Sequence, residues 1–234
     1  MTEKYKVTAL LPMKGHSERI PEKNIKPLGG KPLFFHILES LESAEFVYEV
    51  IVNTDSQKII SLLKKIFPKV IIIKRPQHLL GDKVPMTPII EHDVKFAKTK
   101  HFLQIHAVTP LLKASTIDKA IKTYFEGLDK GFDSAMGINK HQTRFYDHNK
   151  RPINHDPNTM VPSQDMPSLY EDNSCFYINS IENFLKRKNR VGKNPIFIEV
   201  SKLESVDIDE EEDFLIARAV YNFTHKKYYG KRKQ

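Results

Sequence analysis

A regular alternation of short apolar runs with amphipathic stretches most constrains what this chain can fold into. Apolar runs at Lys6 to Leu11, Glu49 to Asn53, Val70 to Lys74, Phe102 to His106, Ser134 to Ile138, Phe176 to Ile178 and Ile196 to Val200 read as strands. Between them, Leu33 to Glu42, Ser56 to Ile66, Pro88 to Ala97, Ser115 to Phe125, Ser180 to Lys188 and Glu210 to His225 read as helices. Their apolar residues recur three and four apart, as do Ile59, Leu62, Leu63 and Ile66. Near-continuous apolar strands such as Val70 to Ile73 need cover on both faces, so the expected fold is α/β with a mostly parallel, doubly wound sheet. At 234 residues, 40% of them hydrophobic, the chain is expected to be one domain around one core.

The rhythm breaks between Asn139 and Asp172. Pro152, Pro157, Pro162 and Pro167 punctuate a stretch rich in His, Asn, Asp and Gln with little helical period. It reads as an excursion before the last strands, and such segments are usually lids, binding loops or partner-contact arms. Phe145, Tyr146, Met160, Leu169 and Tyr170 give it apolar anchors, which weighs against a disordered insertion.

The segment from Leu10 to Pro32 follows the first strand and brings together Lys14, Gly15, Ser17, Arg19, Lys23, Asn24 and Lys26. Flexible backbone, hydroxyls and cations at the mouth of a doubly wound sheet suit a polyphosphate. The spacing is that of neither a Walker A loop nor a GxGxxG fingerprint, so hydrolysis and hydride transfer both lose ground. Two acidic places stand out. Asp55, at the end of the second strand, is open to two roles, ligand contact or helix capping shared with Ser56. Asp207 and Asp209 share one face if Ser205 to Asp209 is extended, a pair of hard oxygen ligands suited to Mg²⁺; Asp209 is equally placed to cap the last helix.

A net charge of +8 raises the question of nucleic acid. No helix-turn-helix, RNP pattern or zinc finger accompanies it, and the basic tail from Lys226 to Lys233 reads as a solvated terminus, so no nucleic-acid partner is expected. The longest apolar runs are far shorter than the roughly 20 residues of a membrane span, and the start, MTEKYK, has no signal-peptide core; a cytoplasmic protein without membrane contact is expected. The single cysteine, Cys175, is expected in the core, and no Cys/His spacing suggests structural zinc.

Six blocks, LLPMKGHSERIPEKNIKPLGGKPL, VIVNTD at 50–55, KRP at 74–76, VTPLL at 108–112, DNSCFYIN at 172–179 and SVDIDEEED at 205–213, resemble in order and spacing those of the acylneuraminate cytidylyltransferases. The resemblance spans almost the whole chain. It implies a Rossmann-like nucleotidyltransferase, usually a homodimer, that uses Mg²⁺ to transfer CMP from CTP to the anomeric hydroxyl of an acidic sugar and releases pyrophosphate. Such in-line attack needs cations, a divalent ion and a positioned hydroxyl rather than a covalent nucleophile. By position, Lys14 stands for the family's loop arginine, Lys23 and Asn24 match its loop lysine and asparagine, and Arg75 matches an arginine that contacts the nucleotide. Leu11, Gly15, Ser17, Arg19 and Asp82 complete the nucleotide side. Asp207 and Asp209 match the metal-binding aspartates, with Lys14 and Lys23 as their catalytic companions.

On the acceptor side the resemblance implies Gln104, His106, Asn173 and Arg144. Here the chain departs from the sialic acid enzymes. Where those carry Arg-Pro-Asn-Gly it has Glu171, Asp172, Asn173 and Ser174, and an upstream arginine is replaced near Ser163. Positive charge is lost, so the expected acceptor is a nonulosonic or related acid other than N-acetylneuraminate; a Kdo-like acid, a phosphonate or a phosphorylated small molecule is the alternative. A non-catalytic nucleotide-binding protein is the distant one. Within the excursion, Arg144 is expected to supply the replacement cation, Asp156 to Asn158 read as turn chemistry, and His155 is left open.

Overall fold

In the computed structural model, which describes residues 5–229, strand β1 (Val7–Met13) is buried at every position. Alternation explains why. Val7, Ala9, Leu11 and Met13 enter one apolar cluster with Phe34, Ile37, Leu63 and Ile117, whereas Leu10 enters another with Ile51, Ile90, Phe102 and Phe184. The first face is covered by α1 (Leu33–Ser43), α2 (Gln57–Ile66) and α4 (Ala114–Leu128). The second is covered by α3 (Met86–Asp93) and α5 (Ile181–Arg187). Burying a strand on both sides is what a run without polar alternation requires. Cys175 is fully buried in the first cluster.

Across the sheet the order is β5 (Ile71–Lys74), β4 (Val47–Thr54), β1, β6 (His101–Ile105), β8 (Leu169–Ser180), β7 (Ser134–His141) and β9 (Pro195–Glu199). β1 pairs in parallel with both β4 and β6. The chain therefore winds outward on one side of β1 and resumes on the other, and the carboxyl ends of β1 and β6 border the crevice where such sheets bind ligands. Within this sheet β8 alone runs antiparallel to its neighbours, so the fold is α/β and mostly parallel, as expected. A two-stranded ribbon, β2 (Pro27–Leu28) with β3 (Lys31–Pro32), closes the loop after β1.

Several boundaries differ from the periodicity reading. The strand expected at Phe176 to Ile178 spans Leu169–Ser180, and β7 reaches His141, so pairing from Ile138↔Asp172 to His141↔Leu169 takes both ends of the expected excursion. Backbone pairing carried those polar residues into the sheet, which leaves 142–168 as the irregular part. Between Met136↔Tyr177 and Ile138↔Asp172, β7 has only Gly137 while β8 has Asn173 to Phe176. This bulge puts Ser174 in the left-handed region at φ 55°, and a Cβ on Gly137 would come within 2.7 Å of Asn173 Oδ1. The third helix ends at Asp93 and tightens into a 3₁₀ turn, Val94–Phe96. The last helix, α6 (Glu211–Tyr229), runs beyond His225, so the basic tail begins as helix; its remainder and the start of the chain, 230–234 and 1–4, lie outside the described residues. No helix among the described residues is long and apolar enough to cross a membrane.

Candidate active site

The loop after β1 is pinned rather than slack, contrary to the flexible backbone its composition suggests. Gly15 N donates to Asp55 Oδ1 at 2.6 Å, and Asn24 Nδ2 donates to Lys14 O at 2.8 Å. Asp55 thus holds the loop, while Ser56 caps α2 by accepting from Ile59 N at 3.3 Å. A Cβ at Gly15 would lie 2.7 Å from Ser56 Cβ, so the approach of loop to helix requires glycine there. Ile20 and Leu28 anchor the far end in a cluster with Ile208 and Phe214. The upper surface bears a polar cavity of about 230 Å³ lined by Lys14, His16, Ser17, Glu18, Arg19, Lys23 and Asp82. A larger cavity of about 500 Å³ between α1, α4 and α6, lined by Leu112, Leu203 and Tyr221 among others, contains none of the loop cations.

Segment 205–209 carries no regular secondary structure; Ile208 enters the core, while Asp207 and Asp209 lie within the fields of Arg19 and Lys23. Asp209 Oδ1 pairs with Arg19 Nη2 at 2.7 Å and Lys23 Nζ at 3.2 Å, and Lys23 also donates to Ile208 O at 2.5 Å. Burial raises the Asp209 pKa, but Arg19 and Lys23 outweigh it and hold the carboxyl below its ordinary value. Asp207 is different. Its Oδ1 is buried without a hydrogen bond, and burial, followed by repulsion from Asp209, pushes its pKa up to about 6. In the first turn of α6, Asp213 Oδ2 accepts from Asp209 N and Glu210 N at 3.0 and 2.8 Å, so the Asp209 carboxylate is left to the loop. At the outer edge Lys14 Nζ meets Asp82 Oδ1 at 3.1 Å and keeps the exposed Asp82 carboxyl below its ordinary value.

Arg75, 5% exposed, lies beneath the loop. Its Nε donates to Asn53 Oδ1 at 2.8 Å and its Nη2 to Met13 O and Asn53 O at 3.2 and 3.0 Å. Asn53 Nδ2 in turn donates to buried Asp93 Oδ1 at 2.5 Å. The chain Asp93, Asn53, Arg75 thus ties α3 to the carboxyl ends of β1 and β4. Desolvation pulls the Arg75 pKa down and pushes that of Asp93 up. Neither Asn53 nor Asp93 was a candidate, although an Asn closing an apolar strand and an Asp on the apolar side of α3 were signals available in the sequence. Leu11 is a core residue of β1 on the face opposite Leu10. Ser17 is half-buried at the cavity.

Across β6 lies a second cluster. Gln104 Nε2 and His106 Nε2 are 2.9 Å apart, and Gln104 Oε1 accepts from Arg190 Nη1 at 3.0 Å. With its oxygen so used, the Gln104 amide donates to His106, whose proton therefore sits on Nδ1. Burial, then the Arg190 charge, lowers the His106 pKa to about 4, while Asp172 and Asp209 act in the opposite direction. His106 thus lies within the fields of both clusters. Arg190 also stacks on Tyr177, with its guanidinium carbon 3.6 Å from the ring centroid, and donates from Nη2 to the phenol oxygen at 2.8 Å. That phenol, pushed up to about 12 mainly by burial, donates to Asp172. Asn173 Oδ1 accepts from Cys175 N at 3.1 Å, and its buried Nδ2 has no partner. Arg144, expected here, instead donates to Val161 O at 2.6 Å within the irregular segment. Arg190, Tyr177 and Asp172 were missed; Arg190 lies in an unremarkable basic stretch, KRKNR, that carries no motif.

A loop of cations facing a pair of carboxylates, at the switch point of a Rossmann-like sheet, is the architecture of a nucleotidyltransferase. Residues 8–233 match the Cytidylyltransferase family, and the chain belongs to it. It is 23% identical over 225 residues to the pseudaminic acid cytidylyltransferase of Campylobacter jejuni, a match covering 93% of this chain and 97% of that protein. It is 24% identical over 221 residues to the N-acylneuraminate cytidylyltransferase of Streptococcus agalactiae, covering 90% of this chain and 52% of that longer protein. Among solved structures, a CMP:2-keto-3-deoxy-manno-octonic acid synthetase complexed with CTP superposes with a TM-score of 0.70 at 14% identity, over 94% of this chain and 99% of that one. The 4-diphosphocytidyl-2C-methyl-D-erythritol synthase of Anaerococcus prevotii gives 0.69 at 10% identity, over 94% and 98%. These two share the fold.

Proposed function

We propose that the protein transfers CMP from CTP to the anomeric hydroxyl of a nonulosonic or related sugar acid, with Mg²⁺, and releases pyrophosphate. The observation that carries this reading is the convergence of Lys14, Arg19 and Lys23 on one polar cavity, with Asp209 paired to Arg19 and Lys23. The hydroxyl oxygen bonds to the α-phosphorus, the bond from that phosphorus to the β-phosphate bridging oxygen breaks, pyrophosphate leaves with the electron pair, and the hydroxyl proton is lost. Lys14, Arg19 and Lys23 stabilise the charge that builds on the phosphate oxygens. Asn24, Gly15 and Asp55 hold the loop that presents them, and Arg75 braces the strand ends below.

The residues present fit a divalent cation. Asp207 offers a buried oxygen without a partner, and Asp209 an oxygen shared only with side chains that can turn to phosphate. An Mg²⁺ ion is commonly held by one or two carboxylates and completed by substrate phosphates. Bound there, Mg²⁺ would supply charge neutralisation to the triphosphate.

The reading includes a cytoplasmic location and a homodimer, the latter with support from the exposed Tyr146, Ile153, Met160 and Tyr170 of the excursion and its flanking strand. The test is pyrophosphate release with Mg²⁺, each of the four nucleoside triphosphates, and a panel of pseudaminic acid, N-acetylneuraminate, Kdo and small phosphonates. Release that needs CTP and one sugar acid is expected. Release with a phosphonate alone would move the acceptor to another class, and failure to bind CTP would overturn the reading.

A further inference from the structure

Resting on the reading just given, we propose that Arg190 is the acceptor-binding cation, receiving the carboxylate of the sugar acid and thereby turning the adjacent anomeric hydroxyl toward the α-phosphorus. A sugar acid of this class carries its carboxylate on the anomeric carbon itself, beside the reacting hydroxyl, so holding that group fixes the nucleophile. The chain has Glu171, Asp172 and Ser163 where the resemblance leads one to look for positive charge. Arg144 is turned to the carbonyl of Val161. Arg190 fills the gap from a place no motif marks.

Its position is built. Lys188 closes α5 in the left-handed region at φ 56°, and the turn that follows is fastened to the start of β7. Gly192 N donates to Ser134 Oγ at 2.8 Å, and Lys193 N and Asn194 N donate to Asp133 at 2.7 and 2.9 Å. The Arg190 carbonyl itself accepts from Asn179 Nδ2 at 3.2 Å. From this anchor the side chain stacks on Tyr177 of β8 and donates to that residue and to Gln104 of β6. Gln104 and Tyr177 are register partners on β6 and β8, so the two groups that orient the guanidinium are themselves fixed by the sheet.

The chemistry of the pocket asks for an anion. Every protein group bonded to the guanidinium is neutral: an amide oxygen and a phenol, with the unprotonated His106 nitrogen 3.4 Å away. Among the described residues Arg190 makes no ion pair and its Nε makes no hydrogen bond. A partly buried guanidinium that cannot lose its charge is complementary to a planar carboxylate, which it can grip with two parallel donors. Asp172, the nearest acid of the cluster, is occupied by the Tyr177 hydroxyl at 2.7 and 2.8 Å. His106 lies in the fields of Arg190 and Asp172 and also of Lys23 and Asp209, so charge at the carboxylate seat and at the phosphate loop is felt at one residue.

The test uses the full chain with CTP, Mg²⁺ and whichever of pseudaminic acid, N-acetylneuraminate or Kdo the unaltered protein turns over. Arg190→Met should raise the KM for that acid on the order of 30-fold or more while leaving the KM for CTP within about twofold. Arg190→Lys should recover part of the loss. The carboxamide of the same acid should bind poorly to the unaltered protein and lose little further in Arg190→Met, because carboxylate and guanidinium then count as one interaction. An unchanged acid KM in Arg190→Met, or an equal rise for CTP and acid, would overturn the assignment and leave the proposed function standing. Should Arg190→Met fail to fold, Arg190→Lys carries the test: an unchanged acid KM there overturns the assignment. Turnover of none of the three acids, with CTP bound, would overturn the proposed function and Arg190's role together.

Discussion

On the nucleotide side of the crevice Lys14, Arg19 and Lys23 already face carboxylates of the chain, whereas on the acceptor side Arg190 faces only neutral groups. The first arrangement prepares an exchange. Lys14 with Asp82 and Arg19 with Asp209 are exposed pairs, and such pairs contribute little to stability, so handing these cations to a triphosphate costs the fold little. What keeps the loop in shape is elsewhere, in Asp55, Asn24 and the buried Ile20 and Leu28. The second arrangement prepares a capture, in which the incoming acid supplies the anion the protein leaves out. The difference teaches that a phosphate loop can be folded and tuned without its substrate, while the acceptor seat is completed only by it.

The largest expected effect breaks the nucleotide half. Asp209→Asn should lower turnover on the order of 100- to 1000-fold while the thermal midpoint hardly moves, because the carboxylate is nearly half exposed; ordinary turnover in that variant would place the metal elsewhere. Next comes His106, which feels the charges of both halves. His106 carries a pKa lowered to about 4 from 6.5, so the folded state resists its protonation. The stability this contributes is fully present above about pH 6.5 and is lost as pH falls toward 4, up to about 3 kcal/mol. Melting followed from pH 7 to 4 should therefore show a steeper loss in the unaltered protein than in His106→Gln; equal slopes would mean that the histidine accepts its proton freely.

Smaller effects sharpen the division. Gly15→Ala should weaken CTP binding by about tenfold, measured calorimetrically, through the clash with Ser56 and the lost bond to Asp55, and should leave the acid's KM alone. A parallel loss for the acid would show that the two halves move as one. The smallest effect is expected for Arg144→Ala. With its guanidinium spent on Val161 O, the variant should change the acid's KM by less than about twofold, and a rise as large as that of Arg190→Met would return the acceptor cation to the excursion.

The two halves also differ in how they are written. Loop, strand and helix on the nucleotide side are contiguous, so apolar β1, the cations behind it and the Ser56 cap could be read in order, and Asp207 and Asp209 betrayed themselves by alternation. The acceptor half is assembled from Gln104 and His106 on one strand, Asp172 and Tyr177 on another, and Arg190 from a turn. No local period records that meeting. The bulge opposite Gly137 escaped for a related reason: strand pairing through polar residues leaves no apolar signature, so β8 looked four times shorter than its twelve residues. Asp93 and Asn53 were legible only as polar residues out of place in apolar runs, a sign of burial but not of the partner.

The most direct test of transfer itself is the mass of the product formed from CTP and the accepted sugar acid. The account predicts a new species equal to the acid plus CMP less one water, formed in step with pyrophosphate. Pyrophosphate accompanied by free CMP, with no such conjugate, would mean that water is the acceptor and would contradict it.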